Sequence, residues 1–170
     1  MIDRRALELT ITLLKKHHDL VLSLNVSGLT CSDKEWIAAL LRLSDGRKDI
    51  LSRLIVEITE TVAIEDLDQT INFVDTLKEF GCRVAIDDFG AGQARLAELG
   101  DCPPDYLKFD IQLVRGIDSA SLERQRMLGS LVRIAADLGI VSLAEGIETA
   151  EEHRVCRRLG FVYGHGFYYG

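Results

Sequence analysis

A chain of 170 residues, 47% hydrophobic and 28% charged, is long and apolar enough to bury one core, so a single domain is expected. Its net charge of -7 excludes a nonspecific nucleic-acid binder, which must neutralise phosphates with clustered Lys and Arg. No apolar run reaches the roughly 20 residues of a membrane span, and the opening Met1-Ile2-Asp3-Arg4-Arg5 lacks the apolar stretch of a secretory leader, so a cytoplasmic location is expected.

Short apolar runs alternate with longer amphipathic stretches along the chain, the pattern of repeated βα units on a parallel sheet. The first helical pattern covers 3–17 and leads to a strand at 21–26; a helix at 33–43 then precedes a strand at 54–58. A helix at 67–80 leads to a strand at 83–87, and one at 93–99 to a strand at 106–109. The pattern closes with a helix at 122–138, a strand at 140–144, a helix at 150–159 and a strand at 161–163. Ser32 with Glu35 and Thr149 with Glu152 fit the capping box, in which side chains satisfy orphaned N–H groups at a helix start. Gly81, Gly139 and Gly160 each follow a helix and precede a strand, where positive φ closes the last turn. Pro103-Pro104 marks a turn. Cys31, Cys82, Cys102 and Cys156 lie too far apart for a zinc motif or a disulfide scaffold and read as reduced thiols. A (β/α)₈ barrel takes roughly 250 residues, so the expectation is either a TIM-like α/β barrel lacking its first units, ahead of residue 1, or a smaller open sheet.

Each of the first five strands carries a polar group near the end of its apolar run: Asn25, Glu57, Asp87 with Asp88, Lys108, and Glu145. In parallel α/β folds the C-terminal strand ends form the active face, so these groups are expected at one mouth. Helix caps explain an acid after a strand, but they do not require Glu57 inside Leu54-Ile55-Val56-Glu57-Ile58. Gathered carboxylates repel and take up protons unless cations intervene, and oxygen donors without His or Cys favour Mg²⁺ or Mn²⁺, with Ca²⁺ next, over Zn²⁺. Lys108 and Asp110, two positions apart on a strand, share a face, where they either pair with each other or both serve the mouth.

Asn25-Val26-Ser27, Glu57-Ile58-Thr59-Glu60, Asp87-Asp88-Phe89-Gly90-Ala91-Gly92, Leu107-Lys108-Phe109-Asp110 and Ala144-Glu145-Gly146-Ile147-Glu148-Thr149 stand in the order and spacing of the EAL-domain cyclic-di-GMP phosphodiesterases, which the chain resembles from about residue 5 onward. The resemblance implies a TIM-like barrel that opens cyclic di-GMP to linear pGpG in bacterial second-messenger signalling. It implies that Asn25, Glu57, Asp87 and Asp88 bind two divalent ions, Mg²⁺ or Mn²⁺, with Asp87 shared between them and Ca²⁺ inhibitory. Lys108 then contacts the catalytic water, Glu145 supports the second metal or acts as base, and Glu148 steadies the loop after the Asp pair. Asp110, Gly90, Gly92 and His165 complete the expected loop and substrate support. A homodimer, or sensor and output domains of a parent chain, are the expected partners, with no nucleic-acid duplex and no membrane in this segment.

The family's early Glu-Ala-Leu motif and the Arg after it are missing, and residues 5–25 match the helix and strand that come well after that motif. The expectation is therefore a piece of a longer protein, truncated at the N-terminus and slightly at the C-terminus, or a chain that associates through the open side. Ala91 and Gln93-Ala94-Arg95 replace the usual Thr and Tyr-Ser-Ser, and His165 replaces the usual Gln; His165 either serves the site or stacks on Phe167 or Tyr168. His17, His18 and His153 read as surface helix positions. Two other functions stay open: an inactive EAL-like module that binds cyclic di-GMP or a protein, and an enolising barrel enzyme with one Mg²⁺ and a lysine base, which the adjacent Asp pair disfavours.

Overall fold

The computed structural model describes residues 2–90 and 103–170. The expected helix at 93–99, together with Gly92, Ala91 and Cys102, lies outside the described residues. The chain divides into two compact units, Met1–Ala85 and Ile86–Gly170. The strands follow one another in the sheet in chain order, and the pairings of 22–25 with 54–57, 106–109 with 141–144 and 143–144 with 163–164 are all parallel.

The first unit holds α1 (Ile2–Lys16), β1 (Leu22–Asn25), α2 (Gly28–Cys31), α3 (Lys34–Ser44), α4 (Lys48–Leu51), β2 (Leu54–Thr59), α5 (Glu60–Glu65) and α6 (Leu67–Phe80). Leu7, Ile11 and Leu14 recur at helical spacing on α1 and are fully buried, as are Trp36 and Leu40 on α3, which packs against that helix. β2 buries residues on both of its faces, Leu54, Val56 and Ile58 on one and Glu57 on the other, as a strand covered on both sides must. Arg53, just before β2, ties down the end of α1: its guanidinium donates to the carbonyls of Leu14, His17 and Leu20 at 2.8, 2.8 and 3.0 Å. The cap of α3 differs from expectation. Asp33, not Ser32, accepts from the Glu35 N–H at 2.9 Å, because the extended backbone at Asp33 aims its short carboxylate at the first turn, while the Ser32 hydroxyl turns back to the Leu29 carbonyl.

β3 (Arg83–Phe89) crosses from the first unit into the second, which continues with β4 (Tyr106–Phe109), α7 (Ile111–Val114), α8 (Leu122–Asp137), β5 (Val141–Ala144), α9 (Ala150–Leu159), β6 (Tyr163–Gly164) and a closing 3₁₀ turn at Phe167–Tyr169. β4 pairs with β5 so that Lys108 stands beside Leu143 and Phe109 beside Ala144. Phe89, Phe109 and Phe161 stack edge to face with centroids 5.1 and 5.0 Å apart, a core that locks the end of β3 to β4. The capping box at Thr149 and Glu152 is complete, and the same Glu152 carboxylate also accepts from the Gly116 and Glu148 N–H groups at 2.7 and 2.8 Å.

Candidate metal and catalytic site

Within the first unit, register places Asn25 at the end of β1 directly beside Glu57 on β2. Neighbours in register on parallel strands share a face, so the amide and the carboxylate form one polar pair at the strand ends. Asn25 is exposed and Glu57 is buried.

Within the second unit, three carboxylates and one ammonium meet. Lys108 donates from Nζ to Asp87 Oδ1 at 2.9 Å and to Glu145 Oε1 at 3.0 Å, and all three side chains are mostly covered. One ligand oxygen from each of Asp87, Asp88 and Glu145 lies within 4.8 Å of the other two. Two oxygens on one divalent ion, each about 2.1–2.4 Å from it, are at most about that far apart, so the donor set fits a hard cation. Burial pushes the Glu145 carboxyl above its usual range; Lys108 opposes that push, and the charges of Asp87 and Asp88 add to it. With one Lys against three acids the cluster carries a residual charge of about −2 when ionised, a direct electrostatic reason to take up a metal.

The backbone explains how two consecutive residues serve one cluster. Successive side chains of a strand point to opposite faces, so Asp87 and Asp88 in regular β geometry would part company. Asp88 sits at φ 58° and breaks the alternation, while its N–H is held by the Asp87 carboxylate at 2.9 Å. Gly90 follows at φ 95°, and a Cβ there would lie 2.2 Å from Leu113 Cδ1.

The remaining expected residues take supporting places. The buried Asp110 caps α7, accepting from the Gln112 N–H at 2.7 Å, so its carboxylate is structural while Lys108 turns to Asp87 and Glu145. Glu148 takes an ion pair from Arg115. His165 is exposed, and its backbone is held between Ala144 and Ile147. His153, not His165, stacks on Tyr168, with centroids 5.2 Å apart, and meets the Tyr169 hydroxyl at 2.7 Å. His153 is a partly exposed position of α9, as expected, and the short 3₁₀ turn folds its aromatic residues back onto it. His17 and His18 come after α1 and are exposed. Sequence reading also missed Asp3, whose carboxylate accepts from the Ser27 N–H at 3.0 Å, the Ser27 hydroxyl at 2.7 Å and the Thr30 hydroxyl, pinning the loop that leaves Asn25. The only sequence signal for it is an acid in a first helical turn, which ordinarily faces its own N–H groups.

An EAL domain family model matches residues 1–170. Cyclic di-GMP phosphodiesterase PdeF of Escherichia coli is 36% identical over 118 residues, which is 69% of this chain and 16% of that protein. Cyclic di-GMP phosphodiesterase PA2567 of Pseudomonas aeruginosa is 30% identical over 146 residues, 86% of this chain and 25% of that protein. Among solved structures, the manganese and cy-diGMP complex of Klebsiella pneumoniae BlrP1 at pH 9.0 matches with a TM-score of 0.84 and 30% identity, covering 97% of this chain and 43% of that one. The chain thus spans a quarter or less of these curated relatives, and the fold is the TIM-like α/β class of its structural neighbours.

Proposed function

The chain belongs to the EAL domain family, and on that premise we propose that its strand-end acids support metal-dependent hydrolysis of cyclic di-GMP to the linear dinucleotide. The observation that carries the reading is Lys108 held between Asp87 and Glu145 beside a third carboxylate, Asp88. Asp87, Asp88 and Glu145, with Asn25 and Glu57, offer the oxygen donors for Mg²⁺ or Mn²⁺, two ions on the family pattern, and Ca²⁺ is the inhibitory competitor. Such ions, when bound, neutralise the phosphodiester and lower the pKa of a coordinated water. Lys108 is poised to orient the attacking water, since a shift of either carboxylate toward a cation releases one of its N–H donors. Glu145, whose burial makes its carboxylate a stronger proton acceptor, accepts the proton of that water.

The test is incubation with cyclic di-GMP and Mn²⁺, then chromatography for the linear product. Product is expected from the native chain, with Asp87→Asn and Lys108→Met each lowering the rate at least about a hundredfold, the scale of losing a proton-handling or charge-stabilising group. Saturable uptake of cyclic di-GMP with no product overturns the hydrolase reading and leaves the chain a binding module.

A further inference from the structure

A groove of about 540 Å³ runs between α8 and α9 of the second unit, away from the acidic cluster. Its lining includes Leu122, Gln125, Arg126, Gly129, Arg133 and Arg158. Gly129 forms the floor: a Cβ there would come within 3.2 Å of Leu159 Cδ2, so the two helices approach closely and leave the longer side chains at the rim. Arg126 and Arg133 are exposed, and neither guanidinium has an acidic partner among the described residues. Arg158 is held in place by a neutral group, donating to Gln125 Oε1 at 2.8 Å, and Gln125 in turn donates to the Ile117 carbonyl at 2.9 Å. Its charge is positioned without being cancelled. In a chain of net charge -7, three uncompensated arginines around one groove are a local reversal of sign.

We propose that this groove docks an acidic, leucine-bearing segment of a partner protein, a role beyond the proposed hydrolysis. The lining joins the arginines to apolar Leu122, which is 69% exposed, and to Leu159, so an occupant needs both carboxylates and an apolar side chain. Arg126 and Arg133 lie seven residues apart on one face of α8, about 10 Å along the axis at 1.5 Å per residue. A peptide in the polyproline II conformation rises about 3.1 Å per residue with about three residues per turn, so acids in the pattern Glu-x-x-Glu share one face about 9 Å apart and match both guanidiniums. A nucleic acid fits less well, because no lining residue is aromatic and bases have nothing to stack on.

The probe is a fluorescein-labelled peptide of three Glu-Leu-Gly repeats, titrated with the full chain and monitored by anisotropy. Saturable binding is expected that weakens as salt rises, at least tenfold weaker for the double variant R126Q/R133Q and severalfold weaker for R158Q. R42Q, an arginine of α3 in the other compact unit and not among the residues lining the groove, is expected to bind as the native chain does. Unchanged melting temperatures verify folding of every variant. The proposal is overturned if the Gln-Leu-Gly counterpart binds equally well, if the double variant binds unchanged, or if no saturable binding occurs below millimolar protein. It is also overturned if a thymidine oligonucleotide binds more tightly than the peptide and is lost in the same variants, which makes the groove a nucleic-acid site. Phosphodiesterase activity in R126Q/R133Q stays native, so failure here and failure of the hydrolase reading are separable.

Discussion

At the scale of single residues, the positive φ of Asp88 is the feature on which the cluster turns. A left-handed conformation costs a non-glycine residue on the order of 1 kcal/mol, and Asp is among the residues that bear it best. The return is two carboxylates from consecutive positions on the same side as Glu145. Asp88→Gly removes the conformational cost and one acid of a crowded set, so in EDTA the variant is expected to melt no lower than native, within about 1 kcal/mol, with Mn²⁺ affinity by calorimetry at least about tenfold weaker. A variant less stable than native in EDTA would show that Asp88 is held by contacts that outweigh its strain. Asp87→Asn probes the other side, because Lys108 keeps the Glu145 carboxylate but loses the charge of Asp87, and a rate lower by at least about a hundredfold is the expected consequence. The strand-end acids and Lys108 were legible in the sequence because polar residues inside apolar strands have no packing reason to be there. The turn at Asp88 was not legible, since nothing in a run of two aspartates says whether the backbone keeps alternating.

Among the elements, helices and strands with strong periodicity appear where the pattern put them: α6, α9 and β4 have the predicted bounds. The short helices α2, α4, α5 and α7 escaped detection because one or two turns leave too little period to see. Long-range side-chain caps are equally silent in sequence, and Asp3 is the example. Burial raises its carboxyl, but the hydrogen bonds from Thr30 and Ser27 outweigh that and hold it below its ordinary value. A depressed folded-state pKa gives stability that is present above the unfolded value and fades as pH falls through the folded one. Asp3→Asn is therefore expected to lower stability at pH 7 by about 1 kcal/mol, with the difference from native shrinking as the pH is taken below about 4. Melting curves of both proteins from about pH 7 down to about pH 3 check this, and a difference that stays constant with pH removes the ionic part of the argument. Gly166 at φ 148° is a second device of this kind: a Cβ there would lie 2.2 Å from the Ile147 carbonyl oxygen, which is backbone and cannot swing aside. Gly166→Ala is expected to cost about 2 kcal/mol or more and to free the turn that carries Tyr168 and Tyr169 toward His153, read out as a loss in thermal stability.

For the molecule as a whole, the thiols offer a reporter in each of the two compact units. Cys31 and Cys82 belong to the first and Cys156 to the second, and burial pushes them up to about 11, about 12 and about 11. A thiol that far above neutrality has almost no thiolate at about pH 8, and for the buried Cys82 and Cys156 attack by a disulfide reagent waits for the unit around each to open, whereas Cys31 is partly exposed. Labelling read peptide by peptide then measures the opening of each unit separately. The acidic cluster lies in the second unit, so Mn²⁺ at about a hundred times its dissociation constant is expected to slow Cys156 labelling by about a hundredfold, the ratio by which a ligand of the folded state suppresses opening. If Asn25 and Glu57 also ligate metal, as the hydrolase reading assigns, Cys82 slows in the same titration, and Glu57→Gln releases it while leaving Cys156 protected. Protection of Cys156 alone in the native chain would confine metal binding to Asp87, Asp88 and Glu145 and remove Asn25 and Glu57 from the ligand set.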